Sequence, residues 1–200
     1  MPALGITGGI ATGKSAFSQT LLRHLPAEFF DADQCAHEVL ATDRSVHAQL
    51  RESFGESVFA ANGTPDRGCL RERVFNDEKA RRQLEAILHP VIRERWSALA
   101  ATAKSSKNWL CFDIPLLYES GVEAHFDRVI VVACSPATQR QRLCAARGLS
   151  AELAASMMAA QLDLGKKISR AHHLIWNDST LASLEKQTAF LASWLRQRYG

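Results

Sequence analysis

Short continuous apolar runs punctuate the chain at residues 3–7, 29–30, 109–114 and 128–133, and a weaker one lies at 174–176. Because they are continuous instead of alternating, they predict strands covered on both faces. Between them the apolar positions recur at helix spacing. Phe17, Leu21, Leu22 and Leu25 follow the first run, and Leu181, Leu184, Leu191 and Leu195 predict a C-terminal helix docked on the core. Strand and helix signals therefore alternate, which predicts an α/β fold built on a parallel five-stranded sheet. The long stretch between the second and third runs reads instead as a helical insertion. Leu84, Ile87, Leu88, Val91 and Ile92 share one helix face, and Pro90 either kinks that helix or starts a new one. Gly55, Asn62-Gly63 and Pro65 mark its loops, and the polar residues 103–108 form a hinge-like link before the third run.

Composition narrows the class. Two hundred residues, 46% hydrophobic and 22% charged, suit one sizeable α/β domain with an inserted lobe. No apolar run is long enough to span a bilayer and no leader pattern opens the chain, so a cytoplasmic protein without a membrane partner is expected. The five cysteines are scattered without C-x-x-C spacing, which favours reduced thiols over zinc or disulfides. His172-His173 lacks helical ligand spacing and reads as structural or exposed.

The net charge of +3 is less informative than its distribution. Arg140, Arg142, Arg147, Lys166, Lys167 and Arg170 crowd one segment against Glu152 and Asp163. A solvated helix face accounts for some of them, and a polyphosphate clamp is the functional reading. The segment lacks the interleaved aromatics of a nucleic-acid surface, so no nucleic-acid partner is expected.

The strongest chemical signal follows the first strand. Gly8-Gly9-Ile10-Ala11-Thr12-Gly13-Lys14-Ser15 fits G-x-x-x-x-G-K-[ST], a loop that wraps nucleotide phosphates. Its glycines permit positive φ and bring backbone N–H groups around an anion, and the next helix adds its N-terminal donors. Lys14 would reach the outer phosphates, and Ser15 would offer its hydroxyl to Mg²⁺. Ligands of such sheets bind at the carboxyl ends of the strands, a rule that gathers Gly8, Asp31, Asp33, Asp113 and Ser135 around one crevice.

Several carboxylates are candidates for the chemistry. In Asp31-Ala32-Asp33, Asp33 is expected to accept the proton of an attacking hydroxyl, with Asp31 as support; a pair of helix caps is the alternative. An extended D-x-D would put the two side chains on opposite faces. Asp113 ends an apolar run as a Walker B carboxylate does and would hold Mg²⁺ directly or through water. Glu119, in Leu116-Leu117-Tyr118-Glu119, is either a substrate-side carboxylate or a surface residue. No N-K-x-D or D-x-x-G follows, which argues against a regulatory GTPase and for a small-molecule kinase.

Together these residues resemble the dephospho-coenzyme A kinase family over nearly the whole chain. The likeness rests on Thr7–Ser15, Asp31–Asp33, Phe54-Gly55, Asp66-Arg67 and Leu88-His89-Pro90. It continues with Pro115-Leu116-Leu117-x-Glu119, Thr138-Gln139-x-x-Arg142, Gln161 and Ile175-x-Asn177. It implies a three-layer P-loop kinase core (about 1–33, 108–137 and 171–200), a helical coenzyme A lobe (about 34–107) and a helical lid (about 138–170). It further implies ATP with Mg²⁺, dephospho-coenzyme A as acceptor, and a monomer or weak homo-oligomer.

By the same resemblance residues 8–16, ending at Ala16, bind ATP phosphates, Arg142 closes over the nucleotide and Asn177 lies near the adenine. Asp33 is the base, and His89, Arg93, Leu116 and Glu119 lie on the acceptor side, although His89 could equally pack the lobe. The chain departs from the family pattern at Ala11, Ala16, Ala146-Arg147, His172 and Ser179. The departure at 146–147 leaves open which lid arginine meets the nucleotide. Another small-molecule kinase, of adenylate or shikimate type, and a nucleotide-dependent binding protein are the alternatives.

Overall fold

A computed structural model describes residues 1–102 and 108–200, except the side chains of Asn76 and Arg147. Residues 103–107 of the expected hinge, and the side chain of the candidate lid residue Arg147, thus lie outside the described residues. The strands are β1 (Ala3–Gly8), β2 (Ala27–Asp31), β3 (Trp109–Asp113), β4 (Arg128–Ala133) and β5 (His173–Trp176). The helices are α1 (Lys14–His24), α2 (Ala32–Thr42), α3 (Arg44–Phe54), α4 (Arg67–Asn76), α5 (Glu78–Ala101), α6 (Pro136–Arg147), α7 (Ala151–Ala159), α8 (Leu164–Ser169) and α9 (Leu181–Tyr199).

The sheet order is β2-β3-β1-β4-β5. Parallel β1 lies between β3, in register from Ala3–Leu110 to Ile6–Asp113, and β4, from Leu4–Arg128 to Gly8–Val132. This central position explains the unbroken apolar run: every residue of β1 is buried. Leu4 and Ile6 face one way, into a core shared with Phe17 and Leu21 of α1 and Leu184, Leu191 and Leu195 of α9. On the other face, a Cβ added to Gly5 would lie 2.7 Å from Leu117 and 3.0 Å from Phe126, so a larger residue would force these side chains to shift. The three-layer α/β expectation is met. No helix among the described residues is long and apolar enough to cross a membrane.

The chain divides into two compact units, Met1–Phe30 with Ala100–Gly200, and Asp31–Leu99. In the second unit Asp43 caps α3 through the Ser45 and Val46 N–H groups, and Asp66 caps α4 through those of Gly68 and Cys69. Its core includes Val39, Val46, Leu50, Phe54, Val58 and Leu70, all buried. Helices α6, α7 and α8 belong to the first unit.

Two local expectations are corrected, and of the two alternatives at Pro90 the new helix falls. Helix α5 runs through Pro90 without restarting, although a proline inside a helix costs about 3 kcal/mol. Leu181, expected in the core, is the first residue of α9 and 76% exposed, because the helix buries the stripe through Leu184 instead. The D-x-D segment is not extended throughout. Strand β2 stops at Asp31, and α2 begins at Ala32, with Asp33 in its first turn.

Candidate active site

The loop joining β1 to α1 owes its shape to two glycines at which a larger residue would clash. A Cβ on Gly8 would lie 2.3 Å from the Val132 carbonyl oxygen. Gly13 has φ +90°, and a Cβ there would fall 2.2 Å from Asn177 Nδ2. Ala11 also takes positive φ, at 59°, where its single methyl keeps the strain small. No side chain caps α1 and no acid sits in its first turn. The helix therefore presents its first N–H groups and the positive end of its dipole, the features of an anion site.

The loop is braced from outside. Ile10 is gripped on both sides: its N–H donates to Gln161 Oε1 at 2.8 Å, and its carbonyl accepts from Gln139 Nε2 at 2.8 Å. Thr12 Oγ1 closes the turn on Gly9 O at 2.8 Å. Arg142 donates from Nη1 to the carbonyls of Ala11 and Thr12, at 3.3 and 3.2 Å, and from Nη2 to Asn177 O at 2.8 Å. Asn177 Nδ2 donates to Thr12 O at 2.9 Å. These contacts occupy carbonyl oxygens and so turn the loop's acceptors away from any anion it holds.

Two charged clusters lie against the loop. Lys14 Nζ pairs with Asp113 Oδ1, and Ser18 Oγ donates to Asp113 Oδ2 at 3.2 Å. Asp113 is 3% exposed, so the end of β3 sets a buried carboxylate beside the loop lysine. In the second cluster Lys167 of α8 is 0% exposed. Its ammonium meets Glu119 Oε1 at 2.7 Å, Gly8 O at 3.2 Å and Pro115 O at 3.4 Å. Three donors meet three acceptors, which is the condition for burying an ammonium.

This geometry stands within a recognisable lineage. A family model described as CoaE, dephospho-CoA kinase, matches residues 3–183. The chain belongs to the dephospho-CoA kinase family. A dephospho-CoA kinase of Geobacillus kaustophilus is 36% identical, over 96% of each chain. Among solved structures, a dephospho-CoA kinase from Campylobacter jejuni superposes with a TM-score of 0.69 at 25% identity, covering 97% of each chain. Shikimate kinase from Acinetobacter baumannii, in complex with shikimate, reaches a TM-score of 0.55 at 14% identity. The match covers 100% of this chain and 95% of that one, and the likeness is one of fold alone.

The residues singled out by the family's motifs fall in both units. Residues 8–16, Asp113, Leu116, Glu119, Arg142 and Asn177 lie in the first; Asp33, His89 and Arg93 lie in the second. Asp31 caps α2, its Oδ1 accepting the Gln34 N–H at 2.9 Å. Asp33, in the first turn of α2, makes no cap and is exposed. His89 and Arg93 are exposed one turn apart on α5, so packing there falls to the buried Ile87 and Leu88 and not to His89. Of the motif residues in the second unit, Arg67 Nη2 meets His37 Nε2 at 2.7 Å.

The basic cluster from Arg140 to Arg170 is not one clamp. Arg142 braces the loop and Lys167 is buried, whereas Arg170 pairs with Glu123 and stacks over Tyr118, 4.5 Å from the ring centre. Arg140 lines a cavity of about 400 Å³ with Gly9, Gln139, Met158 and Gln161. The histidine pair is structural: His172 Nδ1 accepts the Val129 N–H at 3.0 Å, and the His173 ring packs edge-on against Trp194. The cysteines are free thiols. Burial pushes the Cys111 thiol up to about 12, so it is no nucleophile at neutral pH.

Sequence reasoning missed the bracing roles of Thr12, Ser18 and Gln139, and the burial of Lys167. Gln139 carried a faint signal as a polar residue amid α6 positions that face inward. For Lys167 the only signal was its place between Leu164 and Ile168 on a short helix.

Proposed function

We propose that the chain transfers the terminal phosphoryl group of ATP to the ribose 3′-hydroxyl of dephospho-coenzyme A, giving coenzyme A and ADP. The observation that carries this reading is a braced, uncapped phosphate loop in a chain that belongs to the dephospho-CoA kinase family along nearly its whole length.

In this reading the α1 N-terminus and the loop N–H groups hold the phosphates, and Lys14 balances charge on the phosphoryl group in transit. Asp33 accepts the proton of the 3′-hydroxyl as the new P–O3′ bond forms. The bond from the γ-phosphorus to the bridging oxygen breaks, and its electron pair leaves with ADP. His89 and Arg93, exposed on α5, suit an anionic acceptor such as a nucleotide-bearing coenzyme, and Leu116 offers it an apolar edge. Arg142 and Asn177 act on the nucleotide through the loop carbonyls they hold.

The donor set suits Mg²⁺. The Ser15 hydroxyl is exposed at the first turn of α1, and Asp113 supplies a hard carboxylate nearby. No group of three or more His, Cys, Asp or Glu among the described residues could hold a metal alone, which fits an ion that arrives with the nucleotide's phosphates. When bound, Mg²⁺ neutralises charge on the phosphate oxygens.

An acceptor panel tests the reading. With Mg·ATP, the chain is expected to turn over dephospho-coenzyme A and to leave shikimate and nucleoside monophosphates unphosphorylated. Phosphorus NMR of the product would show a 3′-phosphomonoester. Preference for shikimate or a monophosphate would reassign the acceptor while keeping the phosphate site.

A further inference from the structure

We infer that the Lys167–Glu119 pair is a positioning device for the phosphate loop, acting on ATP affinity through Ile10; this rests on the reading of that loop as the ATP phosphate site. The pair joins three stretches distant in sequence, around Gly8, residues 115–119 and residues 162–167. Lys167, on α8, donates to Gly8 O at the last residue of β1 and to Pro115 O beyond β3. Thr7 Oγ1 donates to the same Pro115 oxygen at 2.9 Å, so the two strand ends are tied twice. Glu119 Oε1, besides meeting Lys167, accepts the Leu162 N–H at 3.0 Å. The residue just before Leu162 is Gln161, whose side-chain oxygen holds the Ile10 N–H. One carboxylate oxygen thereby fixes the α7–α8 link at the point from which the link reaches the loop.

A charged side chain with no exposure is a costly way to fill space. An apolar residue could pack α8 against the sheet, but it could not hold a carbonyl at the loop's entry and a carboxylate at once. Gly8 admits no larger residue, and its carbonyl sets the direction in which the chain leaves β1. Charge-assisted hydrogen bonds are the stronger kind and suit a joint that must hold direction. The Glu119 side chain is 22% exposed, so the pair borders solvent on the carboxylate side only. Without the pair, Gln161 loses its anchor, Ile10 loses its grip, and ATP must order the loop as it binds.

The test uses the full chain and reads ATP binding directly, by calorimetry with Mg·ATP, alongside steady-state kinetics for both substrates. Lys167→Met and Glu119→Ala are expected to weaken ATP binding and raise its KM by about 10- to 100-fold, the scale of one charge-assisted hydrogen bond. The KM for dephospho-coenzyme A should stay within about twofold. Glu119→Gln keeps an acceptor for the Leu162 N–H and should restore most of the affinity lost in Glu119→Ala. Should Lys167→Met fail to fold, Gln161→Ala breaks the same chain without stranding a charge and should show the same ATP-selective loss.

Folded variants with lower Tm but unchanged ATP affinity would reduce the pair to a structural tie and overturn the inference. A rise in the acceptor's KM alone would overturn it too, making Glu119 a substrate contact. Wild-type chain that binds ATP yet ignores dephospho-coenzyme A would sink the proposed reaction, while the ATP-binding series would still decide the role of the pair.

Discussion

Replacing Gly13 by alanine isolates the contact that shapes the loop. The residue holds φ +90°, and the new Cβ would sit 2.2 Å from Asn177 Nδ2, a side chain that is 6% exposed and has little room to retreat. Two costs add. Left-handed backbone costs an L-residue about 1–2 kcal/mol. Displacing Asn177 breaks its hydrogen bond to Thr12 O and strands buried polar groups, for about 1–3 kcal/mol more. The sum, about 2–5 kcal/mol, corresponds to a Tm lowered by on the order of 5–15 °C in a chain of this size. Gly121→Ala supplies the control: φ there is +64° with nothing within 4 Å of the added Cβ, so only the backbone cost applies. Denaturant unfolding of both variants, and of Gly13→Ala combined with Asn177→Ala, separates the two costs. The double variant should be clearly less destabilised than the sum of its singles, because the clash disappears with the asparagine. The reasoning fails if Gly13→Ala costs no more than Gly121→Ala, or if the double variant is additive.

Further expectations concern chemistry and pH. Lys14→Ala and Asp33→Asn should each lower kcat by at least about a hundredfold with circular dichroism unchanged, from the magnitudes of charge stabilisation and general-base catalysis. An Asp33→Asn enzyme of near-normal kcat would rule out that residue as base. Ala11→Gly should leave stability equal or slightly higher, by up to about 1 kcal/mol, since relief of positive φ outweighs the freer unfolded chain; a marked loss in denaturant unfolding would refute this. Burial, then the charges of Arg128 and His172, hold the His173 imidazole below its ordinary 6.5. The unfolded chain therefore takes up a proton first, so stability present above pH 6.5 is lost as pH falls from there toward the folded value. His173→Phe should flatten that part of the stability profile, and an unchanged slope would show that the burial has no such effect.

Much of the fold was legible because burial leaves a mark on sequence. β1 and β4 are continuous apolar runs since each is flanked by strands and covered on both faces. The phosphate loop was legible because each demand on it selects a residue type: Gly8 for want of room, Gly13 for positive φ, Lys14 for charge. The loop's bracing was hidden because it depends on partners far away in sequence, with Arg142 lying 130 positions from Thr12 and Asn177 lying 165. Lys167 was hidden for a different reason. A lysine within a basic run suggests a wet surface, and nothing local reveals that α8 turns Lys166 outward and Lys167 in toward Glu119. Pro90 left a kink and a new helix equally open, because local preference does not reveal the burial of Ile87, Leu88 and Trp96 on either side, which keeps α5 continuous.

The most direct test of the account is ADP release from Mg·ATP with and without dephospho-coenzyme A, with the product identified by mass. The account predicts strong stimulation and a product one phosphate heavier than the acceptor. ADP release unaffected by dephospho-coenzyme A, with the acceptor's mass unchanged, would contradict it.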